Sequence, residues 1–264
     1  MKRSYDKEMM DSPQPRELLE EDLKNLRVFN RYFGGYRSVI AGLGRLIEKE
    51  QISRFSLLDV GTGSGDIAAR IIHWARQRNI EASIVALDPD PVTARVAATL
   101  TKQNPPFIPR FQSIPSSVIP AKAGIQREKE KNFQRSAVSI IQADGIAPPF
   151  RPAAFDFVLA SQLLHHFPED KILMLLRTWS KLARRAIIIS DLVRHPIAYH
   201  GIRLITKAYT RNIMTLTDAP LSVHRAFTLP EWRELFRRAD VGPFQILPVF
   251  PFRIVALLSV STHT

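Results

Sequence analysis

Cysteine is absent from the 264 residues, which excludes disulfides, thiolate metal sites and cysteine nucleophiles. Long apolar runs are missing too, and none approaches the roughly 18 residues that a bilayer-crossing helix requires. The opening "MKRSYDKEMMDSPQPRELLEED" has a basic pair but lacks the apolar stretch of a secretory signal. These absences together set the expectation of a cytoplasmic protein.

What is present is ordinary for a globular chain: 45% hydrophobic and 23% charged residues. A chain of this length buries one sizeable core and is expected to form a single α/β domain, 1–264. The formal net charge of +12 raises nucleic acid or an anionic membrane surface as partners. Location weakens that signal. Residues 101–137 hold seven Lys/Arg and two Glu, a net +5, so the remainder carries only +7.

Periodicity organises the rest. From Arg16 to Glu50 the pattern is helical, with Leu19, Leu23, Leu26 and Phe29 on one face and a break at "FGG" (Phe33–Gly35). These two helices, 16–50, are expected to act as a lid. Apolar strands then alternate with helices: "FSLLDV", "DIAARIIHWARQR", "SIVALD", "PVTARVAATLTKQ", "AVSIIQAD", "FDFVLAS", a helix from about Glu169 to Leu182, and "AIIISD". Strands that are apolar nearly throughout imply a parallel sheet covered on both faces. We therefore expect a doubly wound, mostly parallel, seven-stranded sheet. "FQILPVF" and "FRIVALLSV" follow a last helix, "LPEWRELFRRAD", and predict an antiparallel edge hairpin.

One stretch departs from this pattern. Asn104 to Ser136 has five prolines, clustered charge and no periodicity. Its "SVIPAKAGIQ" resembles a peptide found in unrelated bacterial proteins where a dispersed palindromic DNA repeat is read as coding sequence. The segment 104–136 is expected to be a disordered bacterial insertion; the competing reading is a functional lid.

"LLDVGTGSGD" (Leu57–Asp66) carries the functional question. Gly61, Gly63 and Gly65 do not fit the dinucleotide pattern G-x-G-x-x-G, because Asp66 stands where the third glycine belongs. No Gly-Lys-Ser/Thr follows, so a phosphate loop is excluded as well. A carboxylate beside the loop disfavours a pyrophosphate at the helix N-terminus and favours a ligand bearing an ammonium group.

With "ALDPDP" (Ala86–Pro91), "QADGIAPPF" (Gln142–Phe150) and "FDFVLASQLLHHF" (Phe155–Phe167), this stretch resembles the class I methyltransferases that use S-adenosylmethionine (SAM). The four motifs occur in that family's order across about 55–191. The "LLHHF" ending is similar to quinone-biosynthesis and natural-product methyltransferases. The resemblance implies that Gly61, Thr62 and Gly63 approach the methionine part of SAM. It implies that Gly65 lets the following helix pack close to its strand, and that Asp59 meets the donor's amino group. Asp88, with Pro89 beside it, would hold the ribose hydroxyls, while Asp144 and Gly145, with Ile146, would meet the adenine. Ser161 and Gln162 would lie near the sulfonium. Simpler roles compete: Asp88 as a helix cap, Asp144 as a turn residue, Asp66 as a favourable charge in a first helical turn.

His165 and His166 are the candidate catalytic groups, since a hydroxyl acceptor benefits from a base with pKa near 7. The competing reading has both capping or packing against the turn. His200 and Asp191, beyond the fifth strand, are thinner candidates. No metal ligand set is expected. "NPPF" (Asn104–Phe107) matches the signature of base-methylating enzymes but precedes the fourth strand instead of following it, which disfavours nucleic acid.

Residues 192–264 are expected to supply a substrate-side helix and the helix–hairpin. In "HPIAYHGIRLITKAYTRNIM" one amphipathic helix would place Arg203, Lys207 and Arg211 opposite Ile202, Ile205, Tyr209 and Ile213. Such a helix either covers the core or touches a membrane surface peripherally. The resemblance thus implies SAM-dependent methylation of a small apolar or aromatic acceptor, at oxygen more than carbon. Rival expectations are an RNA or protein methyltransferase and a SAM-binding protein without turnover.

Overall fold

The computed structural model describes residues 1–103 and 137–260, so the expected insertion at 104–136 lies outside the described residues. Two helices come first, α1 (Arg16–Tyr32) and α2 (Gly35–Glu50), parted at Phe33–Gly34. Next come β1 (Arg54–Val60), α3 (Asp66–Arg76), β2 (Glu81–Asp88) and α4 (Pro91–Gln103). They are followed by β3 (Ala137–Gln142), β4 (Phe155–Ser161), α5 (Glu169–Leu182) and β5 (Ala183–Leu192). Three helices, α6 (Pro196–Tyr209), α7 (Ile213–Arg225) and α8 (Leu229–Ala239), precede β6 (Phe244–Val249) and β7 (Arg253–Ser259).

The seven strands form one sheet in the order β3-β2-β1-β4-β5-β7-β6. The first five pair in parallel, β7 runs antiparallel to β5, and β6 antiparallel to β7. Neighbouring residues of a strand face opposite ways, and the core divides accordingly. Leu57, Phe157 and Ile188 pack under α2 and α3 with Leu43, Ile71 and Trp74. Leu58, Val158 and Ile187 pack under α5 and α8 with Trp179 and Trp232. Burial on both faces explains why these strands read as apolar runs instead of alternating. Gly42 lets α2 lie close on β7, since a Cβ there would stand 2.5 Å from Val255 Cγ2.

The chain runs outward from β1 through β2 to β3, then restarts beside β1 with β4 and β5. This topology opens a crevice at the carboxyl ends of β1 and β4. Asp59, Ser161 and Asp191 sit at or near those ends.

The structure corrects one element. The single helix expected over 195–214 is two, because the chain leaves the helix at Thr210 and restarts at Ile213. Asn212 begins the second helix, its side chain accepting from the Thr215 amide at 3.1 Å. Arg211 therefore lies outside α6 and extends no basic stripe along it. Among the residues of α6 only Thr206 is fully buried, and Ile197 and Leu204 are exposed together with Arg203 and Lys207.

Residues 1–15, to which the sequence assigns no role, strap across α7 and the turn after β4. Arg3 lies over the Phe227 ring at 3.9 Å and donates to the carbonyls of Arg225 and Phe167 at 2.7 and 2.9 Å. The amides of Met9 and Met10 donate to the two oxygens of Asp218 at 2.9 and 3.1 Å. This anchorage carries Glu8 into the interior and holds Asp11 beside His166.

Candidate functional site

The glycine loop leaves β1 at Val60, just after Asp59, and enters α3 at Asp66. Thr62 ties it to β2 by donating its amide to Leu87 O at 2.8 Å, and its hydroxyl to Asp59 Oδ2 at 2.7 Å. Gly61 takes φ +68°, and a Cβ there would press on Leu163 at 2.9 Å, so both conformation and contact require glycine. Gly65 serves a packing role other than the one expected. A Cβ there would come within 3.1 Å of Ala97, so the close approach it permits is that of α4.

Burial raises the Asp59 carboxyl to about 7, and the nearby Asp66 and Asp88 reinforce the shift. Asp88 is raised to about 6, again chiefly by burial, although it accepts from the amides of Gly63 and Asp90, both at 3.1 Å. Asp66, expected only to favour a helix start, is bonded on both oxygens. Ser64 Oγ donates at 2.7 Å and Asn30 Nδ2, from α1, at 3.1 Å.

A cavity of about 120 Å³ opens from this loop. Asp59, Gly61, Thr62, Gly63, Ser161, Gln162, His165 and His166 all line it, so eight of the residues singled out in the sequence converge. Gly65, at the end of the loop, is outside the lining, and Asp88 supports the loop from behind through the Gly63 amide. Pro89, Asp144 and Gly145 do not line the cavity. Asp144 is exposed and accepts from the Ile146 amide at 2.8 Å, which is the turn bond that competes with an adenine contact. Gly145 lies against Val60, where a Cβ would meet Cγ1 at 2.3 Å, and its carbonyl accepts from Trp179 Nε1 at 2.9 Å.

Helix α1 is joined to the sheet by polar side chains. Gln162, in the left-handed region at φ +53°, donates from Nε2 to Asn30 Oδ1 at 2.6 Å. Its own Oε1 accepts from Arg253 Nη2 at 3.1 Å. Arg253 is buried, and burial lowers its guanidinium to about 10. Ser161 Oγ is buried without a partner and lines the cavity.

The far end of the cavity is a cluster the sequence showed only in part. His165 and His166 lie on a short 3₁₀ turn, Leu164–His166, after β4. His165 Nδ1 is 2.7 Å from Asp191 Oδ1, and both residues are buried. The second oxygen of Asp191 accepts from the Leu164 amide at 3.1 Å. His166 Nδ1 is 2.7 Å from Asp11 Oδ1. Although burial opposes it, the charge and hydrogen bond of His165 hold Asp191 below the ordinary carboxylate range. Asp11 is likewise held low, against burial, by His166 and Arg225.

Glu8, Asp22 and Asp218 complete this end. Burial raises Glu8 to about 7 and Asp22 to about 6. None of these three was singled out from the sequence. Glu8 and Asp218 lie in segments without motif, and Asp22 sits unremarked within the α1 pattern. Asp191, a thin candidate, proves to be the partner of His165, whereas His200 lies exposed on α6.

A family profile described as a methyltransferase domain matches residues 29–240. Among solved structures, human N-acetylserotonin methyltransferase in complex with SAM superposes with TM-score 0.56 at 15% identity. That match covers 99% of this chain but 63% of the human one, so the chain spans less than two thirds of that relative. A SAM-dependent methyltransferase from Aquifex aeolicus gives 0.55 at 12% identity, covering 92% of this chain and 98% of that one. One described as a putative S-adenosyl-L-methionine-dependent methyltransferase from Methanococcus maripaludis gives 0.55 at 13%, covering 96% and 99%. At such identities the likeness is one of fold. A search of curated proteins finds no match.

Proposed function

The chain belongs to the methyltransferase-domain family, whose enzymes of this fold draw the methyl group from SAM, and on that premise we propose that it methylates a hydroxyl oxygen of a small acceptor. The residues present suit the donor. Asp59 is a buried carboxylate for an ammonium group, and Ser161 Oγ is a buried polar atom lacking a partner. Asp88 offers two acceptor oxygens for adjacent ribose hydroxyls. Asp144 keeps one oxygen for the adenine amino group, beside Gly145. SAM, when bound, supplies an electrophilic methyl carbon on a sulfonium.

The chain's own part is to hold an oxygen in line with that carbon and to deal with its proton, and alignment supplies much of the rate. The observation that carries the proposal is the pair of imidazoles at the far end of the donor cavity. A carboxylate fixes each one by Nδ1, which leaves each Nε2 free to take a proton when its ring is neutral. His165 and His166 thus act where the hydroxyl loses its proton. Met10, Leu23 and Leu26 give the cavity an apolar wall suited to an aromatic or aliphatic body. Glu8, Asp22 and Asp218 make its polar end acidic, which argues against an acceptor bearing phosphate or carboxylate there. The chain's net charge of +12 therefore does not describe its cavity.

The test is a panel of phenols and alcohols incubated with SAM, with formation of the demethylated donor as readout. Turnover with at least one hydroxyl compound, lost in His165→Ala while SAM still binds, is expected. A panel yielding only N- or C-methylated product would overturn the assignment to oxygen.

A further inference from the structure

We propose that Glu8, His165 and His166 form a three-ligand site for a divalent first-row transition metal of the zinc type, open on its remaining side to the cavity. The proposal rests on the reading of this end as the acceptor side and says how the hydroxyl is activated.

A carboxylate can only accept, so Asp191 and Asp11 each require a hydrogen on the imidazole Nδ1 they bond. Each Nε2 is thereby turned away from its orienting carboxylate and offers a lone pair when its ring is neutral. These lone pairs face the same carboxylate: His165 Nε2 is 3.7 Å from Glu8 Oε1, and His166 Nε2 is 3.7 Å from Glu8 Oε2. Three ligating groups thus converge, with both gaps beyond hydrogen-bond distance. His165 Nε2 and Glu8 Oε1 have no hydrogen-bond partner, and both residues are 2% exposed. Buried polar atoms in that state are costly.

Neighbouring groups do not relieve the conflict. Ser222 Oγ donates to Glu8 Oε2 at 3.0 Å and leaves Oε1 free. Arg225 Nε stands 3.8 Å from Oε1, but its guanidinium is committed to Asp11 Oδ2 and to the carbonyls of His165 and His166.

A cation resolves it. Tetrahedral zinc with bonds of about 2.0–2.1 Å sets neighbouring ligand atoms about 3.3 Å apart, so gaps of 3.7 Å need little closure. One ligand atom from each of the three residues lies within 4.8 Å of the others. Two imidazoles and one carboxylate suit zinc or its neighbours, whereas magnesium and calcium favour all-oxygen sets. Three protein ligands with an open position are the pattern of a reactive site, not a structural one. Asp191 and Asp11 are the carboxylates that orient ligating histidines elsewhere.

A hydroxyl oxygen coordinated there releases its proton to water near neutral pH. The bond from methyl carbon to that oxygen forms as the carbon–sulfur bond breaks, its electron pair passing to sulfur. No oxidant or reductant is needed.

The test uses the full chain stripped with a chelator and titrated with Co²⁺, read by visible absorption, and with Zn²⁺, read by calorimetry, without acceptor. One ion per chain is expected. Affinity should fall at least tenfold in Glu8→Gln and His166→Ala and hold in Asp59→Asn at the donor end. Should those variants fail to fold, Asp11→Asn supplies the check, with an expected loss of about 10–100-fold through the orienting bond alone. A flat titration by a cooperatively melting wild type overturns the site, as does Co²⁺ binding that survives both ligand variants. SAM binding on the same samples separates the two readings. Donor bound without metal removes only the metal and leaves the histidines as bases; metal bound without donor removes the methyl-transfer reading.

Discussion

Gln162 Nε2 donates to Asn30 Oδ1 at 2.6 Å, joining the end of β4 to α1 across the mouth of the donor cavity. The same Asn30 amide donates to Asp66 Oδ2, so one side chain of α1 holds the end of β4 and α3 together. In Asn30→Ala both partners lose that bond, at a cost of about 1–3 kcal/mol for each buried group left bare. We expect a melting temperature lower by several degrees and weaker SAM binding, measured by calorimetry and thermal denaturation. An unchanged Kd would show that α1 does not seat the donor.

Asp59 predicts a pH dependence. Its folded pKa, raised to about 7, lies above the ordinary 3.8, so the native chain holds a proton there that the unfolded chain releases. Stability tied to this group is therefore intact at pH 4 and declines as pH climbs toward 7. Asp59→Asn removes the effect. The variant should melt with the wild type near pH 4 and several degrees above it at pH 8. Parallel melting curves across that range would contradict a buried neutral Asp59.

At Asp88 the prediction concerns the donor. Loss of a charge-assisted contact of about 1.5–3 kcal/mol weakens binding roughly ten- to hundredfold. Calorimetry of Asp88→Ala with SAM should show that loss, and NAD should bind neither protein. Equal SAM affinity in the two would remove Asp88 from the ribose.

Two glycines of different surroundings should respond in opposite directions to alanine. Gly42→Ala drives a Cβ to 2.5 Å from Val255 Cγ2 and is expected to cost about 1–3 kcal/mol. Gly201→Ala, in α6 with nothing within 4 Å, should stabilise by up to about 1 kcal/mol. Denaturant titration distinguishes them, and destabilisation at Gly201 would contradict the open surroundings of that face.

How much of this was legible depended on sequence distance. Asp59, the glycines and Asp88 belong to strand ends and tight turns, where spacing along the chain fixes spacing in the crevice. His165 and His166 were visible for the same reason. Glu8, Asp11, Asp22 and Asp218 were not, because each reaches this end of the site from a segment far off in sequence, carried by tertiary packing that no local period records. Asp191 was seen as a position after the fifth strand, but its pairing with His165 depends on β4 and β5 lying side by side. The division of α6 from α7 had a local sign, Asn212 three residues before Thr215, overshadowed by an apolar pattern that continued through it. Pro220, inside α7, also reads as an interruption although the helix continues past it.

The strap of residues 1–11 has a kinetic consequence. The donor loop is carried by the sheet, whereas Glu8 and Asp11 ride on a segment anchored largely by hydrogen bonds to side chains and carbonyls. Segments held that way open before sheets do. We predict that ligands pass while this strap is peeled back, so that each turnover includes one opening and one resealing. Product departure then competes with the chemical step for control of the overall rate. A turnover number that falls as solvent viscosity rises, with single-turnover methylation unaffected, is the signature of that arrangement.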